Sequence, residues 1–154
     1  MIIGIGSDHG GYALKEKVKI FLSEMRYEYK DFGTRSLDSC DYPDFGETVG
    51  KCVSSGKCKF GIVICTTGIG ISIAANKIKG VRAALCRDID SAVMTRKHND
   101  ANVLAIGAKY TDEALAKKIV KAFLETEFDG AKPDGARHKK RVDKIRTIEE
   151  RNFR

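Results

Sequence analysis

Apolar positions along this chain follow two alternating spacings. Ile2 to Ile5, Phe60 to Cys65, Val81 to Cys86 and Asn102 to Ile106 are short runs rich in β-branched residues, and Phe60 to Cys65 is continuous enough for a central strand covered on both faces. Between them the spacing becomes helical. Leu14, Val18, Phe21, Leu22 and Met25 form one stripe after the turn Ser7-Asp8-His9-Gly10-Gly11, and Phe45, Val49, Cys52 and Val53 form another after Pro43, ending at Ser54-Ser55-Gly56. Further helices are predicted from the loop Thr66 to Gly70 through Asn76, from Asp88 to Lys97, and from an N-cap at Thr111 to about Thr126. Tyr27 to Phe32 is polar enough for an edge strand. After a loop containing Pro133, Val142, Ile145 and Ile148 mark a basic amphipathic helix, about 137–151, whose narrow apolar stripe suits packing on a partner subunit.

This alternation predicts an α/β layered fold with a parallel sheet of five strands and right-handed crossovers, in a single domain spanning 1–154. In such sheets ligands bind beyond the carboxyl ends of the strands, near a topological switch point. The loops holding Asp8-His9 and Cys65 to Gly70 are the expected lips.

Composition narrows the function classes. With 42% hydrophobic and 32% charged residues the chain can bury a core, and no apolar run approaches the ~20 residues of a membrane span. The N-terminus lacks a basic leader, so the expectation is a cytoplasmic protein, with no membrane partner. Five cysteines without a C-x-x-C pair signal neither a disulfide frame nor a metal site, and are expected to be reduced thiols. The net charge of +7 divides into +2 over residues 1–130 and +5 over 131–154. That basic end favours an anionic partner, whether phosphate, acidic protein or nucleic acid.

Cys65-Thr-Thr-Gly-Ile-Gly-Ile-Ser places a thiol at a strand end and glycines where a helix begins, a geometry that can aim backbone amides at an anion and lower a thiol's pKa. Local sequence leaves a plainer reading open, since free cysteine is among the most buried residue types. A C-x5-R phosphatase loop would need Arg where Ile71 stands, and neither a Walker loop nor a completed G-x-G-x-x-G is present. His9, His98 and His138 sit in polar or glycine-containing settings where each can titrate near neutrality, although a surface or capping role suits any one of them alone. Asp8 can equally be a helix cap, and Lys109, Arg137 and Arg141 a solvated face.

Taken together, Ser7-Asp8-His9-Gly10-Gly11, Asp41-Tyr42-Pro43, Cys65 to Lys77, Gly80 to Ala84, His98 to Leu104, Gly135 to His138 and Arg141-Val142 resemble the type B ribose-5-phosphate isomerase family, which also includes galactose- and allose-6-phosphate isomerases. The resemblance implies a Rossmann-like three-layer αβα sandwich, a homodimer or tetramer, and an aldose-ketose isomerase of sugar phosphates that uses no metal and no nucleotide cofactor. It assigns Cys65 as the base between C1 and C2, amides of Thr66, Thr67, Gly68, Ile69 and Gly70 as the anion hole, and His98, assisted by Thr67, as the group that opens the sugar ring. Asn99 would hold a hydroxyl, Asp8 and His9 would line the other edge of the substrate, and Lys109, Arg137 and Arg141 would hold its phosphate.

The family pattern is broken in three places: Thr66 replaces a Gly, Lys109 an Arg, and Ala131 to Asp134 is an insertion. His98 precedes the fifth strand whereas Cys65 follows the third, which separates them by ~15 Å in a parallel sheet. The expectation is therefore a composite site, with Cys65 from one subunit and His98, Arg137 and Arg141 from its two-fold partner. Ribose 5-phosphate is the leading substrate. A six-carbon sugar phosphate is the close alternative, and an anion- or RNA-binding module a distant one, because no nucleic-acid motif accompanies the charge.

Overall fold

The computed structural model describes residues 1–152. Five strands, β1 (Ile2–Ser7), β2 (Glu28–Asp31), β3 (Phe60–Cys65), β4 (Ala83–Leu85) and β5 (Val103–Gly107), form one parallel sheet in the order β2-β1-β3-β5-β4. Helices α1 (Tyr12–Glu24), α4 (Ile89–Asn99) and α5 (Glu113–Glu125) cover one face, and α2 (Tyr42–Ser54) and α3 (Ile69–Ala75) the other. α6 (Ala136–Asn152) follows two 3₁₀ turns, Asp129–Ala131 and Pro133–Gly135. This is the expected α/β sandwich with a five-stranded parallel sheet. The order in which strands are added reverses between β1 and β3, which opens the switch-point crevice at their carboxyl ends.

Alternation along the strands builds two cores. Ile3, Ile5, Ile62, Ile64, Leu104 and Ile106 point to the α1/α5 face, where they meet Val18, Leu22, Ile119 and Phe123. Val63, Cys65, Val103 and Ala105 point to the α2/α3 face, against Val49 and Ile71. On that second face Gly6 and Gly61 let α2 approach closely, since Cβ atoms there would stand 3.0 and 2.7 Å from Val49, while Gly4 makes room for Cys58, whose Sγ would lie 3.2 Å from a Cβ. The unfinished G-x-G of β1 thus serves helix-to-sheet packing.

Four local features depart from the sequence expectation. β4 is confined to Ala83–Leu85 because the amides of Arg82 and Ala83 are taken by the side chains of Asn102 and Asn76, both at 2.8 Å. The cap of α5 is Asp112, whose carboxylate accepts the Leu115 amide at 2.8 Å, while Thr111 is buried. Cys52 and Cys58 are not free thiols but a disulfide. α2 ends at Ser54 and the chain folds back so tightly that the Cys58 amide donates to Cys52 O at 3.1 Å, bringing the two Cα atoms to 5.3 Å. Finally, Lys15, on the apolar side of α1, is fully buried. Its ammonium reaches both carboxylate oxygens of Asp31 at 2.9 and 2.7 Å, and Asp31 also binds Lys19 and the Gly33 amide.

Thiol titration of the denatured, unreduced protein is expected to count three groups, Cys40, Cys65 and Cys86, and all five only after reduction. Burial alone would push the Asp31 carboxyl up, but Lys15, Lys19 and the Gly33 amide hold it below the ordinary value. A lowered carboxyl pKa stabilises the fold above the ordinary carboxylate range and loses that contribution as pH falls through the folded value. Denaturation midpoints of wild type should therefore drop on acidification below about pH 4, and Asp31→Asn should flatten that drop while costing about 3 kcal/mol at neutral pH.

Candidate active site

Cys65 ends β3, and the chain turns at once through Thr66 and Thr67 into α3. Gly68 caps α3 with φ +75, and its amide donates to Cys65 Sγ at 3.1 Å. No residue with a side chain fits there: a Cβ would stand 2.5 Å from Leu85 and 2.8 Å from the Gly107 amide. Cys65 is only 4% exposed. Thr67 Oγ1 accepts the Ile69 amide at 3.3 Å, while Lys109 N donates to Thr66 O at 2.9 Å, so the loop is tied both to itself and to the end of β5.

The neighbouring loop after β1 is fixed as firmly. Asp8 is buried and accepts the Gly11 amide at 3.0 Å, acting as a turn former ahead of α1. His9 Nδ1 lies 3.2 Å from both the amide and the carbonyl of Cys40, donating to one or accepting from the other according to its tautomer. Thr66, the side chain added where relatives of this pattern carry Gly, rests over Gly10, which has no Cβ to obstruct it. The Tyr42 ring lies on Gly70, where a Cβ would approach it to 2.5 Å. Tyr42 had no role assigned from sequence; its position in Asp41-Tyr42-Pro43 was the only signal.

A second cluster lies at the other edge of the sheet. β3 and β5 pair in parallel from Gly61 with Val103 to Cys65 with Gly107, so the start of β5 is four residues, about 13 Å, from the thiol's edge. His98 and Asn99 end α4 just before it. Asp100 follows at φ +48, held by Arg82 Nη2 at 3.0 Å and Arg96 Nη1 at 2.9 Å, and Arg82 Nε donates to Asn99 O at 3.1 Å. His98 stacks on His138 of α6. Arg137 and Arg141 are exposed on the first turns of α6, and Arg137, His138 and Lys97 line a cavity of about 290 Å³ with Asp129, Lys132 and Asp134. Lys132 and Asp134 of the insertion therefore help to line it.

The chain thus gathers Asp8, His9, Cys65, Thr66, Thr67, Gly68, Ile69, Gly70 and Lys109 at one edge, and His98, Asn99, Arg137 and Arg141 at the opposite one. Lys109 falls with the thiol, not with the Arg pair. Among the described residues no cluster of three or more His, Cys, Asp or Glu side chains is arranged to hold a metal ion.

Fold, site and the comparisons with known proteins together make this protein an isomerase of the α/β sandwich class. Residues 3–145 match the family model for Ribose/Galactose Isomerase, and the chain belongs to that family. It is 45% identical to a putative sugar phosphate isomerase, YwlF, of Bacillus subtilis, over 99% of this chain and all of that one. It is also 45% identical to ribose-5-phosphate isomerase B of Escherichia coli, over 97% of each chain. The solved structure of Clostridium thermocellum ribose-5-phosphate isomerase B superposes with a TM-score of 0.93 at 53% identity, covering 98% of this chain and 99% of that one.

Gly68→Ala is expected to cost about 2 kcal/mol or more, measured by chemical denaturation, and to reduce isomerase activity by about 100-fold, because strain and collision both fall on the turn that aims an amide at Cys65.

Proposed function

We propose that the protein interconverts ribose 5-phosphate and ribulose 5-phosphate through an enediolate, as a cytoplasmic homodimer or tetramer of dimers with composite sites. The reading rests above all on the Gly68 amide held 3.1 Å from Cys65 Sγ, which gives a donor to a sulfur that must carry charge while it moves a proton. His98 gives a proton to the ring oxygen as the C1–O4 bond breaks and its electron pair goes to O4. The anomeric hydroxyl loses its proton to water, and the C1 carbonyl forms. Cys65, as thiolate, takes the proton from C2. The C–H electron pair becomes the C1–C2 double bond, and the carbonyl pair moves to O1, facing those amides of the Thr66 to Gly70 loop that Cys65 Sγ and Thr67 Oγ1 do not already engage. Return of the proton to C1, with O2 losing its own proton and O1 gaining one, gives the ketose. Thr67 assists, Asn99 holds a hydroxyl, and Asp8 and His9 face the substrate's other edge. Lys109, Arg137 and Arg141 hold the phosphate, Lys109 contributed by the subunit that supplies Cys65.

The separation of Cys65 from His98 along the β3/β5 ladder supports a site completed by a second copy. The apolar stripe of α6, with Ile145 and Ile148 exposed, is the surface we assign to that contact.

Cys65→Ala and His98→Ala are each expected to be inactive in a spectrophotometric isomerisation assay. Refolding the two as a mixture should recover about a quarter of wild-type activity, since half the dimers are mixed and each has one intact site of two. No recovery would reject the composite site. A higher kcat/KM for a six-carbon sugar phosphate than for ribose 5-phosphate would replace the substrate while leaving the chemistry in place.

A further inference from the structure

We infer that His138 is a positioning residue for His98, its imidazole serving as the flat wall that sets the plane in which His98 meets the sugar's ring oxygen. The inference rests on the reading of His98 as the ring-opening group. The two rings lie face to face, centroids 4.2 Å apart and planes 3° from parallel. Neither nitrogen of His98 makes a hydrogen bond within the described residues, so the contact with His138 is what orients the ring. The backbone beneath is already fixed by the Arg82 and Arg96 bonds to Asp100.

His138 is built as a wall and not as a second acid. It is 5% exposed on a helix otherwise crowded with cations, and Arg137 Nε donates to its Nε2 at 3.2 Å. That bond leaves the proton on Nδ1, which is buried with no partner. Burial first, then His98, Arg137 and Arg141, hold its pKa below the ordinary histidine value, with Asp129 opposing them. That shift disfavours a second positive charge on the face turned toward His98.

The test separates ring opening from proton transfer. Ribulose 5-phosphate cannot close into a furanose, because O5 carries the phosphate, so exchange of its C1 proton with solvent deuterium reports enediolate formation alone. Isomerisation of ribose 5-phosphate needs ring opening as well. His138→Ala should lower isomerisation about tenfold more than exchange, and His138→Phe, which keeps a flat ring, should stay within about threefold of wild type in both. Should His138→Ala fail to fold, His138→Asn takes its place with the same expectation. Equal loss of both activities in the Ala or Asn variant, or a Phe variant as impaired as either, would overturn the inference. His98→Asn run alongside distinguishes the underlying reading: if it lowers both activities equally, His98 is not the ring opener and the inference falls with it. If His98→Asn separates the two activities and the His138 variants do not, only the inference fails.

Discussion

Parallel pairing of β3 with β5 is the constraint on which the rest of the molecule depends. In a parallel sheet every strand leaves at the same edge, so a residue that follows one strand and a residue that precedes its neighbour stand a strand's length apart. Cys65 and His98 are such a pair, and no side chain is long enough to join them. The layout separates the two groups to which the proposed mechanism gives proton transfer, and each strand end is then elaborated independently. One has a glycine turn whose Gly68 amide faces the thiol. The other has an arginine-braced helix end carrying an imidazole pair.

Much of this architecture is legible in the residues because it follows from period and punctuation. Phe60 to Cys65 reads as a buried strand from its unbroken apolar run, and α1 from its stripe of Leu14, Val18 and Leu22. The failures share a cause, since each depends on a partner distant in the chain. Lys15 has no place in the apolar pattern of α1, and only Asp31, on the adjoining edge strand, accounts for its burial. Val81 and Arg82 look like strand until Asn102 competes for the backbone. The disulfide of Cys52 with Cys58 arises from how sharply the chain turns after α2, and spacing rules built on metal knuckles and redox motifs do not reach it.

The functional edge shows the same division. Cys65 and the Asp8-His9 turn are readable from glycine placement beside strand ends. The supports are not: Tyr42 over Gly70, Gly10 beneath Thr66, and His138 against His98 are contacts between segments that composition cannot pair. Asp100 is the clearest case. A left-handed aspartate suggests nothing in sequence, yet with Arg82 and Arg96 on its carboxylate it fixes the direction in which α4 delivers His98 and Asn99.

The bare glycines of β1 and β3 carry a reach beyond packing. Because Gly6 and Gly61 leave room for Val49, α2 lies deep against the sheet, and the same helix begins with the aromatic ring that rests on Gly70. Enlarging either small residue would lift the whole rod outward and tilt its leading end away from the turn that follows Cys65. Volume in the hydrocarbon interior is in this way geared to the aperture of the pocket, so that changes made far from any reacting atom would be felt as altered turnover.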